Sequence, residues 1–205
     1  PFADCGGEAM RVMTHFLLWA VRLSKPESQT SLTERKCLAR YAAGKRRLVE
    51  IGVWEGATTT VLRRAMASDG ILFAVDPYPV GRLGFSAPQV IAHKELATVC
   101  NGTVKWLRST GEQAAFELSQ NREMLVDFVF IDGDHSYDGL RIDWEAWSPL
   151  VERGGIVALH DSRSSAGRPI DDAGSAIYTR EVILTDPRFK VVEFADTLTI
   201  LSRRS

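Results

Sequence analysis

From residue 46 onward, short apolar runs alternate with amphipathic segments along almost the whole chain. Continuous apolar runs are typical of strands buried on both faces, and helical segments between such runs predict a parallel sheet covered on both sides. The runs lie at 48–53, 71–75, 103–107, 126–131, 156–159, 190–194 and 197–201. The pattern therefore predicts an α/β fold with a doubly wound, Rossmann-like sheet of seven mostly parallel strands and helices on both faces.

The segments between the runs have the spacing of amphipathic helices. They lie near 57–67, 87–98, 111–120, 138–150 and 172–184. Two further helices are predicted before the sheet, at 8–23 and 31–43, and the second opens with the capping-box pattern of Ser31 and Glu34. Only two residues separate the last two strands, which predicts an antiparallel hairpin at the C-terminal edge of the sheet.

The length of 205 residues suits one domain with a sizeable core. We expect a single domain over 1–205, with a helical preface at 1–45 and an α/β core at 46–205. The net charge of -1 gives no electrostatic reason to bind nucleic acid, and no apolar run is long enough to cross a membrane. The three cysteines have no metal-type spacing, so a reduced, cytoplasmic protein is expected.

The first predicted strand runs into a glycine-containing turn, VEIGVWEGATT, with the spacing E-x-G-x-x-x-G. Gly52 and Gly56 allow a tight turn and the close approach of a ligand to main-chain N–H groups. The second strand ends at Asp76, and an acid at this place can accept hydrogen bonds from ribose hydroxyls. Together these features indicate a ligand that contains adenosine.

The turn lacks the marks of a pyrophosphate site, because neither G-x-G-x-x-G nor G-x-x-x-x-G-K-[ST] is present. Glu50, just before the turn, would repel a polyanion but attract the ammonium group of an amino acid. This argues against a dinucleotide. An NAD-dependent oxidoreductase nevertheless shares the turn and Asp76, and a non-catalytic relative that only binds the cofactor is a second alternative.

The turn together with Asp76 resembles the cofactor site of class I S-adenosylmethionine-dependent methyltransferases. The later stretch IDGDHSYDGLRIDWEAWSPLVERGGIVALHD is similar to their "domain 24" branch of small O-methyltransferases, and to metal-dependent sugar and macrolide O-methyltransferases. The resemblance covers roughly 46–202. It implies an enzyme that moves a methyl group from S-adenosylmethionine to a hydroxyl of a small molecule, such as a sugar or specialised metabolite. A nitrogen acceptor is the alternative within the methyltransferases.

The resemblance also implies roles for the residues of the cofactor site. Glu50 and Gly52 would lie against the methionine part of the cofactor, and Asp76 would hold its ribose. Asp132 would lie beside the sulfonium and the acceptor. The resemblance implies that three further residues of the turn also bind the cofactor: Trp54, Gly56 and Thr58.

After the third strand, the resemblance implies that Thr110, Gly111 and Glu112 lie near the adenine. The same stretch also has the pattern of a plain helix start, with Ser109 or Thr110 as the capping residue. The two interpretations stay open at this point.

The fourth strand ends in IDGDH, which contains an acid and a histidine that could act as a base. Methyl transfer to an alcohol needs such a base. The protein must position the acceptor and remove its proton, because a protonated alcohol is a poor nucleophile. The resemblance implies that His135, three residues after Asp132, is this base. His135 and Asp132 are therefore the predicted catalytic residues.

The fifth strand ends in LHD, and it is expected to lie next to the fourth strand in the sheet. The acids at the ends of these two strands therefore predict a metal site. Asp132 and Asp161 could share one hard cation such as Mg²⁺, with Asp134 as a third ligand. Such a divalent cation would lower the pKa of the acceptor hydroxyl. His160 stands where related metal-dependent enzymes often have an acid, which leaves open a softer metal such as Mn²⁺ or a ligand set that uses Asp134.

Two loops rich in Gly, Pro and Ser, at 77–86 and 162–169, are either walls of the acceptor pocket or variable surface loops. The preface at 1–45 is expected to cover the pocket or to form a homo-oligomer contact. Acids on the predicted helix 138–150 are interpreted as helix-end and surface charges, and its two tryptophans as core. Candidate substrate contacts in the loops are Tyr78, Arg82, Phe85, Arg163 and Arg168; the helix acids are Asp138, Asp143 and Glu145, and the tryptophans are Trp144 and Trp147.

Overall fold

The computed structural model describes residues 5–81, 84–120 and 125–205, with side chains from residue 10 onward. Within these residues seven strands form one sheet. Their bounds are β1 Arg47–Ile51, β2 Ile71–Val75, β3 Thr103–Leu107, β4 Val126–Ile131, β5 Val151–Leu159, β6 Phe189–Ala195 and β7 Leu198–Arg203. The predicted sheet of seven strands is confirmed.

Helices connect the strands where the periodicity predicts them. Their bounds are α1 Cys5–Ala20, α2 Leu32–Ala42, α3 Ala57–Ala65, α4 Ala87–Ala97, α5 Gly111–Ser119, α6 Tyr137–Trp147 and α7 Gly174–Glu181, with short 3₁₀ turns at Ser148–Leu150 and Ile183–Thr185. The capping box before α2 is present in both directions, between Ser31 and Glu34. Among the described residues, no helix combines the length and the apolar character that crossing a membrane requires.

The strand order is β3-β2-β1-β4-β5-β7-β6. The first five strands pair in parallel, while β7 pairs antiparallel with both β5 and β6, as the short link before β7 predicts. From β1 the chain proceeds outward through β2 and β3 and then returns to place β4 on the other side of β1. In open α/β sheets this change of direction creates a crevice at the carboxyl ends of the strands, where ligands bind.

Both faces of the sheet are buried along the central strands β1, β2 and β4, which explains why these strands are continuously apolar. Side chains alternate along β1, so that Val49 and Ile51 join one core cluster and Leu48 joins the other. Trp144 and Trp147 of α6 are 3% and 1% exposed and belong to the first cluster, as predicted. Strand β5 begins at Val151, earlier than predicted, because its polar, glycine-containing start has the sequence pattern of a turn.

Candidate active site

A cavity of about 680 Å³ lies at the carboxyl ends of the central strands. Residues that follow β1, β2, β3 and β4 line it, together with residues of the N-terminal preface. Its volume is within the usual range for small-molecule and cofactor sites. The preface residues in the lining are Arg11, Glu27, Ser28 and Gln29.

The turn after β1 depends on its two glycines. Gly52 has a φ of +85°, and a Cβ at this position would lie 2.1 Å from the carbonyl oxygen of Asp132. Gly56 has a φ of +76°, and its Cβ would lie 2.8 Å from the side chain of Leu96. The missing side chain at Gly52 therefore lets the turn lie directly against Asp132 at the end of β4, and the one at Gly56 lets it lie against α4.

Asp76 holds this turn in place. Its Oδ2 accepts hydrogen bonds from the N–H groups of Val53 and Trp54, each at 3.0 Å, and its Oδ1 accepts one from Tyr78 at 2.8 Å. Asp76 also lines the cavity. A carboxylate has about four acceptor positions, so a ribose hydroxyl would be an additional partner. The predicted ribose contact stays a prediction.

Glu50 lies behind the turn and is not among the residues that line the cavity. It is fully buried, and neither of its carboxylate oxygens has a hydrogen-bond partner among the described residues. Burial raises the pKa of Glu50 well above its usual range, and the nearby Asp132 and Asp76 raise it further. Its predicted contact with the methionine part of the cofactor stays a prediction.

The other predicted cofactor residues lie at the cavity. Trp54, with a φ of +51°, is 42% exposed, and Thr58 stands in the first turn of α3. Thr110 is the N-cap of α5, and its hydroxyl accepts a hydrogen bond from the N–H of Gln113. The interpretation of this stretch as a capped helix start is therefore confirmed, while Thr110, Gly111 and Glu112 also line the cavity.

The acid and the histidines after β4 and β5 form one cluster. Oδ1 of Asp132 lies 2.7 Å from Nδ1 of His160 and 3.6 Å from Nε2 of His135. The two imidazole rings are 5.7 Å apart. The His135 side chain is 34% exposed and lines the cavity, whereas the His160 side chain is completely buried. Two similar residues thus have very different access to a ligand.

His160 lies between two carboxylates. Its Nε2 is 3.5 Å from Oε2 of Glu34, although neither ring nitrogen makes an aligned hydrogen bond. Burial alone lowers the pKa of His160, but Asp132 and Glu34 outweigh that effect and raise it to about 10. Burial likewise raises the pKa of Glu34, but His160, Thr197 and the N–H of Ser31 lower it to about 2. The sequence signals only the capping role of Glu34, because its contact with His160 is made across the fold.

The predicted metal ligands are not all in this cluster. Asp161 has a φ of +47°, and its Oδ2 forms a salt bridge with Arg168. Asp134 accepts a hydrogen bond from the N–H of Ser136 at 2.8 Å. In the described part of the chain, the group whose ligand atoms lie within 4.8 Å of one another is Asp132, His135 and His160. The set of Asp132, Asp161 and Asp134 stays a prediction.

Of the loop residues predicted to meet the substrate, those that the structure describes do not line the cavity. Tyr78 is buried and donates its hydroxyl to the carbonyl of Trp54. Arg163 bonds to the carbonyl of Asp196, away from the cavity. Phe85 packs against Phe16 of α1 and Arg168 binds Asp161, while Arg82 lies outside the described residues.

The interpretation of Asp143 as a surface charge is wrong. Asp143 is 7% exposed and lines the cavity. Burial raises its pKa to about 7, and Asp134 and Glu112 contribute to the increase. The sequence indicates this buried position, because Asp143 follows Leu140 by three residues and precedes Trp147 by four. That spacing places it on the buried stripe of α6.

The sequence is similar to those of known methyltransferases. The family model Methyltransf_24, a methyltransferase domain, matches residues 49–162. Tricin synthase 1 from Oryza sativa subsp. japonica is 34% identical over 180 residues, which cover 78% of this chain and 68% of that protein. These matches decide against the oxidoreductase alternative.

Solved structures share the fold. The O-methyltransferase TomG from Streptomyces achromogenes, in complex with S-adenosylmethionine, has a TM-score of 0.67 at 17% identity, covering 100% of this chain and 92% of that one. An O-methyltransferase from Bacillus cereus in complex with S-adenosylhomocysteine has a TM-score of 0.64 at 17% identity, covering 100% and 93%. With the family match over more than half of its length, the chain belongs to this methyltransferase family and is an S-adenosylmethionine-dependent O-methyltransferase.

Proposed function

We propose that this enzyme methylates a hydroxyl oxygen of a small molecule, with His135 as the base. The observation that carries the proposal is the position of His135 in the cavity, where its Nε2 lies 3.6 Å from Oδ1 of Asp132. Its imidazole is partly exposed, so an acceptor can reach it. Histidine is also the side chain best suited to take up a proton near neutral pH.

In the proposed reaction, the acceptor oxygen attacks the methyl carbon in line with the breaking S–C bond. The O–CH₃ bond forms, and S-adenosylhomocysteine leaves. Nε2 of His135 takes the acceptor's proton, and the Asp132 carboxylate stabilises the imidazolium that results. His160 acts as a positioning residue, because its contact at 2.7 Å fixes the Asp132 carboxylate from the side opposite to the cavity.

A small acceptor is favoured by the shape and surroundings of the cavity. The preface contributes Arg11, Glu27 and Gln29 to the lining, so the acceptor would lie between these residues and His135. Tricin synthase 1 is itself named for a small-molecule product. The net charge of -1 offers no attraction for a nucleic acid.

As the alternative to a His135 base, we propose a divalent cation held by Asp132, His135 and His160. Its binding would require His160, which has a pKa of about 10, to lose its proton. Two imidazole nitrogens and one carboxylate suit Mn²⁺ or Zn²⁺ better than Mg²⁺, which prefers oxygen ligands. Asp161 would join this group only by giving up its salt bridge with Arg168. When bound, the cation would lower the pKa of the acceptor hydroxyl. Because Nε2 of His135 cannot bind a cation and take up a proton at once, metal dependence would transfer its role from base to ligand.

The test is methyl transfer from S-adenosylmethionine labelled in the methyl group. Hydroxylated small molecules, matched amines and RNA are offered as acceptors, each with a chelator, Mg²⁺ or Mn²⁺. We expect label on oxygen acceptors only. Label on amines or RNA would contradict the proposed acceptor class, while full turnover in chelator would remove the cation and leave His135 as the base.

A further inference from the structure

We propose that Asp143 recognises the adenine of the cofactor by accepting a hydrogen bond from its N6 amino group. The inference rests on the proposed placement of S-adenosylmethionine in the cavity. It assigns a ligand contact to a residue of α6 that the sequence pattern does not mark as functional.

The first observation is where the Asp143 carboxylate lies. It fills the space between two glycines of the cavity wall, Gly111 and Gly133. A Cβ at Gly111 would lie 2.1 Å from Oδ1 of Asp143, and a Cβ at Gly133 would lie 3.3 Å from its Oδ2. The carboxylate therefore lies between the start of α5, where the adenine is expected, and the end of β4.

The second observation is that this carboxylate has no partner. Asp143 is 93% buried, yet it makes no hydrogen bond or ion pair with any residue in the described part of the chain. Its oxygens are not among the fully buried side-chain atoms of the described residues that have no partner, so they face the cavity and not the core. A ligand that enters the cavity would supply the missing donor.

The third observation is the charge around Asp143. The neighbouring ionisable groups are Asp134 and Glu112, both acidic, so an anionic ligand group is excluded from this place. The ligand must present an N–H or O–H donor. Adenine carries such a donor in its N6 amino group, and hydrogen bonds to N6 are a standard way of recognising this base.

The contact does not depend on whether Asp143 is ionised. Burial raises the pKa of Asp143 to about 7, and both the carboxylate and the neutral acid offer an acceptor oxygen to N6. The neutral acid could in addition donate its proton to N1 of the adenine.

The experiment compares two ligands by titration calorimetry. One is S-adenosylhomocysteine, and the other is the same compound with purine in place of adenine, so that only the 6-amino group is missing. The wild type should bind the adenine compound about tenfold more tightly, as expected for one hydrogen bond. In Asp143→Ala this ratio should fall to about one, while Asp143→Asn, which keeps an acceptor oxygen, should retain most of it.

The controls separate recognition from stability. Asp138→Ala, an exposed acid on the same helix, should keep the wild-type ratio. Asp143→Leu replaces Asp143→Ala if the smaller side chain prevents folding. A wild-type ratio near one, or a tenfold ratio that survives in Asp143→Ala or Asp143→Leu, would overturn the inference. Failure of the wild type to bind either compound would instead overturn the proposed placement of the cofactor.

Discussion

The cavity has two halves that are built in different ways. The cofactor turn, Gly52 to Gly56, is shaped by main-chain conformation and is held by N–H groups that bind Asp76. The acid–histidine cluster, Asp132, His135 and His160, is shaped by side chains, and one of its supports comes from α2 of the preface. The turn thus depends on main-chain packing against the ends of β2 and β4, whereas the cluster depends on side chains from β4, β5 and α2.

This difference predicts a separation of effects. Changes in the turn should act on cofactor binding, changes at His135 on the chemical step, and changes behind the cluster on stability. The contrast between the two halves fails if one substitution affects all three quantities alike.

The largest effect is expected from His135→Ala. If His135 takes the acceptor's proton, turnover at saturating substrate should fall by about 10²–10⁴-fold. The affinity for S-adenosylhomocysteine should stay within about twofold, because the side chain is not part of the cofactor turn. Initial rates and calorimetry measure the two quantities.

The matched control is His93→Ala. His93 stacks on Trp106 with ring centres 3.9 Å apart, and it does not line the cavity. Turnover should be nearly unchanged in this variant. Full turnover in His135→Ala would show that the base has been assigned to the wrong residue.

The next effect concerns the support behind the cluster. Glu34→Ala removes the carboxylate next to Nε2 of His160, so that the two carboxylates near Nδ1, Asp132 and Asp161, remain. It also leaves Thr197 without the carboxylate that accepts its N–H and hydroxyl. Removing one partner of a buried pair costs about 3–5 kcal/mol. Denaturant unfolding should show a loss of this size.

An exposed pair gives the comparison for Glu34. Asp69→Ala breaks the surface salt bridge between Asp69 and Arg46, which is worth about 0–1 kcal/mol. If the two variants lose similar amounts of stability, Glu34 contributes only as a helix cap.

The third effect tests the turn itself. In Gly52→Ala, the new methyl group would meet the carbonyl oxygen of Asp132 at a backbone conformation that favours glycine. We expect a loss of roughly 1–3 kcal/mol in stability and a loss of cofactor affinity of about tenfold or more. Gly44→Ala shares the positive φ but has no atoms within 4 Å, so it should cost only about 1 kcal/mol and leave the affinity unchanged. Equal affinities in the two variants would contradict a role for the turn.

The same contrast explains what the sequence could predict. The apolar runs and the glycine spacing are visible as patterns in the sequence, so the sheet, the helices and the turn were predictable within a few residues. Glu34 could be recognised only as a cap, because nothing near it in the sequence indicates a contact with His160. The preface was expected to cover the pocket or to form a homo-oligomer contact, but which of its residues line the cavity depends on how it packs.

Asp143 is a different case, because its spacing from Leu140 and Trp147 already indicates a buried position on α6. An acid on the apolar stripe of a helix costs stability unless it serves something else, and helical spacing placed it there. Such a residue is therefore a better functional candidate than the exposed acids on either side of it, Asp138 and Glu145.

The last effect is a pH dependence of stability that comes from Asp143. Its pKa in the folded protein, about 7, is above the ordinary value of 3.8. The folded state therefore holds a proton that the unfolded state releases, so the contribution of Asp143 to stability is lost as pH rises from about 4 through 7. Asp143→Asn removes this titration and should become more stable than the wild type by about 1–4 kcal/mol between pH 4 and pH 8.

Unfolding in urea at pH 4, 6 and 8 measures this difference, with Asp138→Asn as a control that should show no trend. Saturating S-adenosylhomocysteine sharpens the result when Asp143→Ala, which has no acceptor oxygen, is added to the set. The ligand should raise the stability of the wild type and of Asp143→Asn by similar amounts, and that of Asp143→Ala by about 1 kcal/mol less. If the ligand stabilises all three proteins equally, Asp143 is a strained core residue that the cofactor does not touch.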